Sequence, residues 1–191
     1  MKTLQITLLF TFISVMTLAQ EKLEINTSTS AIRWFGEYAF YFGGHDGTID
    51  FKKGYFIKTD NKITGGQFII DMNSLKSLDI EDKEGREGLD NHLKNKDFFE
   101  VKTYPTAKII FTNVIYENKD VLKIYANLTI KNITKPINFR ADVDSDKKEM
   151  TTKFKIDRTL WGITFNSKEI EGKLKDGLIS DAIAFDVKLR L

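Results

Sequence analysis

The chain has 191 residues, no cysteine, 15 phenylalanines beside only 2 prolines, and a formal net charge of +2. This length is sufficient for one domain with a substantial core. The absence of cysteine excludes disulfides, thiolate metal sites and a cysteine-linked lipid anchor. Proteins that bind the phosphate backbone carry a marked basic excess, so we expect no nucleic-acid partner.

Residues 1–19 have the pattern of a secretory signal peptide. Met1 and Lys2 form a short basic start, an apolar run without acidic residues follows, and Thr17 and Ala19 precede the predicted cleavage site. The run is shorter than the roughly 20 residues of a membrane span. We therefore expect a soluble periplasmic or secreted protein, with residues 20–191 as one domain and no stable membrane anchor.

Strand patterns dominate the rest of the chain. Apolar and polar residues alternate with a period of two, which is typical of strands with one buried face. Polar turns separate these runs seven or eight times, and this favours an antiparallel barrel or sandwich, hence a mainly β fold. The turns are predicted at residues 43–47, 59–62, 117–120 and 142–148. The predicted inward residues are Ile32, Trp34, Phe68, Ile70, Met72, Leu122, Ile124, Ala126, Leu128, Ile130, Phe154, Ile156, Ile183, Phe185, Val187, Leu189 and Leu191.

Residues 77–99 break this pattern. The segment is charged and lacks β-branched residues after Ile80, and Leu89 and Leu93 have helical spacing. We predict a short helix from about Gly88 to Lys96, held against the body by both leucines and Phe98. Connections this long are uncommon in compact β domains and often cover another part of the protein.

The two histidines leave two interpretations open. His45 lies in the predicted Gly-rich turn beside Asp46, and His92 lies on the predicted helix near Asp90. Either could act as an acid–base residue, but no Gly-x-Ser-x-Gly elbow or metal-ligand spacing accompanies them. The structural alternative is a turn residue at His45 and a helix-to-body hydrogen bond at His92. We expect no catalytic function, no metal and no cofactor.

Arg158 continues the inward register of Phe154 and Ile156. A buried guanidinium needs acceptors for its five donors. One interpretation is a bulge near residues 160–162 that returns Arg158 to solvent or to a carboxylate. The other is a cation near a barrel mouth that holds a polar headgroup. The aromatic residues around the first strand fit either a packed core or a pocket wall: Trp34, Phe35, Tyr38, Phe40, Tyr41 and Phe42.

The motifs together resemble the YceI-like family. The resemblance covers essentially all of residues 20–191 and rests on IRWFGEYAFYFGGHDGTIDFKKG (32–54), FIIDMNSLKSLD (68–79), HLKNKDFFEVKTYPTAKIIF (92–111), LTIKNITKPINF (128–139) and DRTLWGITF (157–165). It implies an exported bacterial protein with a lipocalin-like barrel and an interior tunnel for a polyisoprenoid or isoprenoid quinone. It also implies a helix–strand corner at residues 97–105 and a broken strand from Arg158 to Gly162.

About eight strands leave room inside a barrel for one slender ligand. We expect an isoprenoid-type lipid bound by a monomer or homodimer, with Arg158 and His45 as possible headgroup contacts. Two alternatives remain: an envelope-stress or protein-interaction module whose barrel is filled by its own side chains, and an enzyme that uses His45 or His92. The predicted apolar lining is Ile32, Trp34, Phe68, Ile70, Phe111, Leu128, Phe154, Ile156, Phe185 and Val187.

Overall fold

The structure, a computed structural model, describes residues 20–40, 42–167 and 178–191. The predicted signal peptide and Tyr41 lie outside these ranges. Within them the chain forms nine β-strands, one α-helix and a single 3-10 turn, Arg158–Trp161. The elements are β1 (Glu21–Glu24), β2 (Ala31–Tyr38), β3 (Gly44–Thr59), β4 (Lys62–Ser77), α1 (Lys83–Lys94), β5 (Thr106–Tyr116), β6 (Val121–Ile130), β7 (Ile133–Asp144), β8 (Glu149–Asp157) and β9 (Ile179–Arg190).

Strands β2 to β9 form a closed antiparallel barrel, which confirms the predicted fold class. Each strand pairs with its neighbour in sequence, and β2 pairs with β9 to complete the ring. Strand β1 lies outside the ring and pairs with the second half of β3, from Tyr55 to Lys58. The register of β3 against β4 shifts three times. Such bulges bend and twist the strands, which helps a sheet to close on itself.

The two ends of the barrel are built differently. At one end, which we call the turn end, short turns join β3 to β4, β5 to β6 and β7 to β8. Asp60 and Asn61 both have positive φ there, a hairpin geometry that Asp and Asn tolerate. The other, the helix end, carries the β2–β3 connection, α1 with its flanking loops, the two-residue β6–β7 turn, and residues 158–167, which follow β8.

Aromatic rings form a nearly continuous belt inside the barrel. Phe68 contacts Phe51, Phe56 and Phe111 with ring centroids 5.1–6.1 Å apart. The contacts continue from Phe111 through Phe139, Phe154 and Phe185. Towards the turn end lies the floor, four residues that are each at most 2% exposed: Phe56, Leu122, Ile124 and Ala141.

Helix α1 begins five residues before its predicted start. Asp82 caps it, because its carboxylate accepts a hydrogen bond from the main-chain N–H of Gly85 at 2.7 Å. The prediction missed this cap because it followed only the apolar spacing. Asp90 then fixes the helix to the barrel, since its carboxylate accepts from both the N–H and the hydroxyl of Ser77 at 2.7 Å.

The predicted turn at residues 43–47 was placed too late. Strand β2 ends at Tyr38 and β3 already begins at Gly44, so His45 belongs to a strand. Gly47 is a glycine because of close packing, not because of a turn. A Cβ there would lie 2.5 Å from the indole ring of Trp34 and 2.0 Å from the carbonyl oxygen of Lys76.

Candidate functional site

The barrel contains an apolar cavity of about 190 Å³ that extends to the helix end. All eight ring strands contribute to its wall, as do Leu89 and Leu93 of α1 and the corner residues Phe98 and Phe99. Ile156 is buried but does not belong to the wall. The other nine predicted lining residues do: Ile32, Trp34, Phe68, Ile70, Phe111, Leu128, Phe154, Phe185 and Val187. Their role in binding a ligand stays a prediction.

A chain of three polar side chains borders the cavity at the helix end. The imidazole of His45 lies in the cavity wall, with Nδ1 2.8 Å from Asp79 Oδ2 and Nε2 3.3 Å from the hydroxyl of Tyr38. An ionised carboxylate only accepts, so Nδ1–H donates to Asp79. In the neutral ring, Nε2 then accepts from Tyr38. This arrangement fixes the imidazole in one orientation and one tautomer.

Asp79 is held in its ionised form. Burial acts to raise its pKa, but hydrogen bonds from His45 and from the main-chain N–H of Asp46 outweigh this effect and leave the pKa below its ordinary value. A carboxylate, an imidazole and a phenol in series can bind a polar group or transfer a proton. The cavity-facing imidazole beside an Asp, which the enzymatic alternative requires, is therefore present.

Arg158 points inward as its register predicted, and its side chain is 1% exposed. The bulge that would return it to solvent is not formed. Instead, β8 ends at Asp157, and a 3-10 turn follows that ends at Gly162 with φ of +71°. The guanidinium donates to the carbonyl oxygens of Ile163 (2.8 Å), Ser180 (3.0 Å) and Ile179 (3.2 Å).

These bonds make Arg158 a brace between the chain after β8 and the start of β9. The nearest carboxylate oxygen, Asp181 Oδ1, lies 3.6 Å away, which is too long for a hydrogen bond. Burial lowers the pKa of Arg158, while Asp181 and Asp157 act in the opposite direction. Three donors are committed to main-chain acceptors, which favours a structural role, and headgroup contact by Arg158 stays a prediction.

His92 packs within an aromatic cluster beside the helix end. Its ring meets Phe98 and Phe165 edge to face, with centroids 5.1 and 4.8 Å apart. Its Nε2 lies 3.6 Å from Asp97 Oδ2. His92 is not among the residues of the cavity wall, so it links α1 to the body of the protein, mainly by ring packing.

Sequence reasoning missed two residues of this site, Gly36 and Asp79, and left Tyr38 open between a packed core and a pocket wall. Gly36 continues the inward register of Ile32 and Trp34, so the alternation of β2 itself carried a signal for it. Between Gly36 and Tyr38 the register of β2 against β9 shifts. Asp79 is 34 residues from His45 along the chain. No local pattern could pair those two before the order of strands was known.

Within residues 20–40, 42–167 and 178–191, no helix is long and apolar enough to cross a membrane. No cluster of three or more His, Cys, Asp or Glu side chains in those ranges is arranged to hold a metal ion.

Solved structures with a similar fold include BcnA from Burkholderia cenocepacia. It is 17% identical, with a TM-score of 0.62 over 86% of this chain and 98% of that one. The YceI protein of Campylobacter jejuni is 17% identical, with a TM-score of 0.51 over 96% of this chain and 90% of that one. At these identities the likeness supports the fold alone.

Sequence relatives match over shorter stretches. A UPF0312 protein of Pseudomonas putida is 33% identical over 60 residues, which is 31% of each chain. A UPF0312 protein of Photorhabdus laumondii is 30% identical over 86 residues, 45% of this chain and 39% of the relative. The match thus spans less than half the length of these relatives. The model of the YceI-like domain, however, matches residues 19–191. The chain therefore belongs to the YceI-like family.

Proposed function

We propose that this protein binds a slender apolar molecule inside its barrel, for transport, storage or sequestration. The ligand class is a polyisoprenoid or isoprenoid-quinone-type chain. The observation that carries the proposal is the cavity, whose wall is built from apolar side chains of all eight ring strands. Family membership agrees with this function. One copy of the barrel is sufficient for binding.

Cavity size and surface chemistry favour a chain over a bulky ligand. The volume of about 190 Å³ lies below the roughly 300–1,000 Å³ of pockets for drug-sized ligands. Each methylene group that leaves water contributes about 0.8 kcal/mol, so ten such groups provide roughly 8 kcal/mol before the cost of ordering the ligand. A chain longer than the cavity would extend past the helix end.

The cavity also separates this proposal from the protein-interaction alternative. That alternative requires a barrel filled by its own side chains. The described residues pack closely at the floor, towards the turn end, and leave a cavity between the floor and the helix end. The open volume above the floor favours a binding function.

Ligand uptake tests the proposal, with two matched tryptophan variants on β5. Ile109 belongs to the cavity wall, whereas its neighbour Ile110 does not. Ile109→Trp should fill the cavity and abolish uptake of an added C20 isoprenoid. Ile110→Trp adds the same ring to the outer face and should leave uptake unchanged. Circular dichroism confirms that both variants fold.

A second measurement uses the protein as it leaves the cell. Mass spectrometry of an organic extract from the exported protein should find an isoprenoid or quinone in stoichiometric amount. An empty extract, together with no uptake of added isoprenoids by folded protein, would overturn the proposal. It would favour the protein-interaction alternative instead.

The His45–Asp79 pair also favours a second candidate function, acid–base chemistry on the bound molecule. An imidazole in the cavity wall with a carboxylate at 2.8 Å has the geometry of a general base. Turnover would change the mass or the NMR spectrum of a bound ligand over time, and His45→Ala would stop that change. A ligand whose mass and NMR spectrum both stay unchanged with the wild type would exclude the activity for the molecule tested.

We also propose that residues 1–19 direct export. Their sequence supports this, and the family model begins to match at residue 19. N-terminal sequencing of protein recovered from the periplasm or medium should begin at Gln20. Accumulation of uncleaved protein in the cytoplasm would contradict the assignment.

A further inference from the structure

The inner face of β2 has a gap. Residues Ile32, Trp34, Gly36 and Tyr38 all belong to the cavity wall, and Gly36 is the one member without a side chain. A Cβ built there would meet only the carbonyl oxygen of His45 within 4 Å, at 4.0 Å. Glycine weakens a strand interior and often marks the place where a ligand approaches the backbone closely.

Cross-strand neighbours enclose this gap. His45 of β3 pairs directly with Gly36 on one side, and Ile183 of β9 pairs with it on the other. Directly opposed residues of antiparallel strands share one face. We call the group formed by Trp34, Gly36, Tyr38, His45 and Ile183 the Gly36 niche. All five residues belong to the cavity wall.

The Gly36 niche contains an unsatisfied hydrogen-bond donor. Trp34 Nε1 is buried and has no hydrogen-bond partner within the residues that the structure describes. The indole N–H can only donate, and a buried tryptophan usually finds an acceptor for it. Tyr38 and His45, two further members of the niche, are joined by a long bond of 3.3 Å. A ligand hydroxyl can replace either partner of that bond.

The charges around the Gly36 niche disfavour an anionic group. Glu37 belongs to the cavity wall, and Asp79 lies behind His45. Of the arginines, Arg33 is paired with Asp46, and Arg158 donates to three main-chain carbonyls. Arg158 is the one arginine among the described residues of the cavity wall, and with three of its five donors directed at main-chain carbonyls it is poorly placed to hold a phosphate.

We propose that the Gly36 niche binds the polar head of the ligand, and that this head is an uncharged, oxygen-bearing group such as a hydroxyl, phenol or carbonyl. Trp34 donates to the oxygen, and the Tyr38–His45 pair, held in place by Asp79, binds it from the other side. This inference rests on the proposed function, because the chain of the same ligand occupies the apolar cavity.

Three probes of equal chain length test the proposal: a C20 isoprenoid hydrocarbon, the corresponding alcohol and the corresponding monophosphate. The alcohol should bind to the wild type roughly tenfold more tightly than either of the others, a ratio that corresponds to about 1.4 kcal/mol. Trp34→Phe keeps a ring but removes the N–H, and Gly36→Leu fills the gap. Both should bring the ratio of alcohol to hydrocarbon affinity close to one.

Phe35→Leu is the matched control, because Phe35 lies between the two positions and outside the cavity wall. It should leave the ratio unchanged. Equal binding of alcohol and hydrocarbon by the wild type would overturn the Gly36 niche and leave the cavity function intact. Tightest binding of the phosphate would overturn the proposed head class. Failure of all three probes to bind would overturn the proposed function itself. If Gly36→Leu does not fold, Trp34→Phe decides.

Discussion

The two ends of the barrel solve different physical problems. The turn end is closed by short local turns and is packed solid at the floor. The helix end has long irregular connections that cannot satisfy all their backbone groups by sheet pairing, so side chains do so instead. Asp90 accepts from the main-chain N–H of Ser77, Asp79 accepts from that of Asp46, and Arg158 donates to three carbonyl groups.

This difference indicates where stability and function reside. Close packing of large apolar side chains stabilises the turn end. The helix end is less closely packed, and it contains the cavity and polar groups at defined positions. Exposed apolar side chains of the described residues also concentrate at the helix end, among them Tyr38, Phe40, Phe42 and Leu78. Segments of this kind are typically the first to open in a folded protein.

The largest expected effect tests this division of stability. Phe56→Ala in the floor should lower the free energy of unfolding by about 3–5 kcal/mol, because it leaves a cavity among closely packed rings. Leu89→Ala at the helix end removes a half-buried side chain beside an existing cavity, and it should cost less than about 2 kcal/mol. Urea unfolding of both variants measures the difference. Equal losses of unfolding free energy in the two variants would contradict the conclusion that the turn end contributes more stability than the helix end.

Arg158→Ala should come next, with a loss of about 3 kcal/mol, because it leaves three carbonyl groups without their donor. Arg158→Lys should share most of this loss, since one ammonium cannot replace the planar fork. The same two variants separate the brace from a headgroup contact. Weaker ligand binding at unchanged stability would show that Arg158 serves the ligand.

Asp90→Ala should cost about 2 kcal/mol, because Ser77 loses the acceptor for both of its donors. The effect should be local. Amide hydrogen exchange should accelerate in α1, Lys83–Lys94, and stay unchanged in the strands at the turn end. Glu87→Ala is the control on the same helix, since Glu87 is exposed and makes only an i,i+4 pair with Lys83. Uniform acceleration across the barrel would show that the helix is not an independent unit.

The sequence predicted the two ends unequally well, and the reason is physical. Strand alternation is a local signal, so the inward faces and the turns at residues 59–62 and 117–120 were recognised before the structure was known. The helix end depends on contacts between residues far apart in sequence. The cap at Asp82 was overlooked, and the turn near His45 was misplaced because Gly47 reads as a turn residue although it is a packing residue.

For Arg158, the sequence predicted the orientation of the side chain but not its hydrogen-bond partners. Its register predicted an inward side chain, and this is confirmed. Its acceptors could not be predicted, because they are main-chain carbonyls of residues 163, 179 and 180, which the closure of the barrel brings together. The partners of the Gly36 niche were hidden for the same reason, since Ile183 lies almost 150 residues after Gly36.

At the turn end, Tyr116→Phe should cost about 1 kcal/mol, because the main-chain N–H of Ile63 loses its acceptor at 2.6 Å. Burial raises the pKa of Tyr116, with the bond from Ile63 acting in the opposite direction. The neutral phenol is therefore favoured in the fold. Its contribution is complete below the unfolded pKa of about 10 and is lost as the pH rises towards the folded pKa. Unfolding between pH 9 and 11 should depend less on pH in the variant, and identical profiles would show that Tyr116 ionises equally in both states.

The smallest effect concerns Asp79 at the helix end and has the opposite sign. Its folded pKa is lowered, so its contribution is present above the unfolded pKa and is lost as the pH falls through the folded value. Partial exposure reduces the magnitude through solvent screening. Asp79→Asn should therefore unfold with a weaker dependence on pH between about 2 and 5, the range around the ordinary pKa of an aspartate. If the variant instead matched the wild type there, the His45–Asp79 bond would not contribute to holding the helix end in place. The orientation of the imidazole in the Gly36 niche would then need another cause.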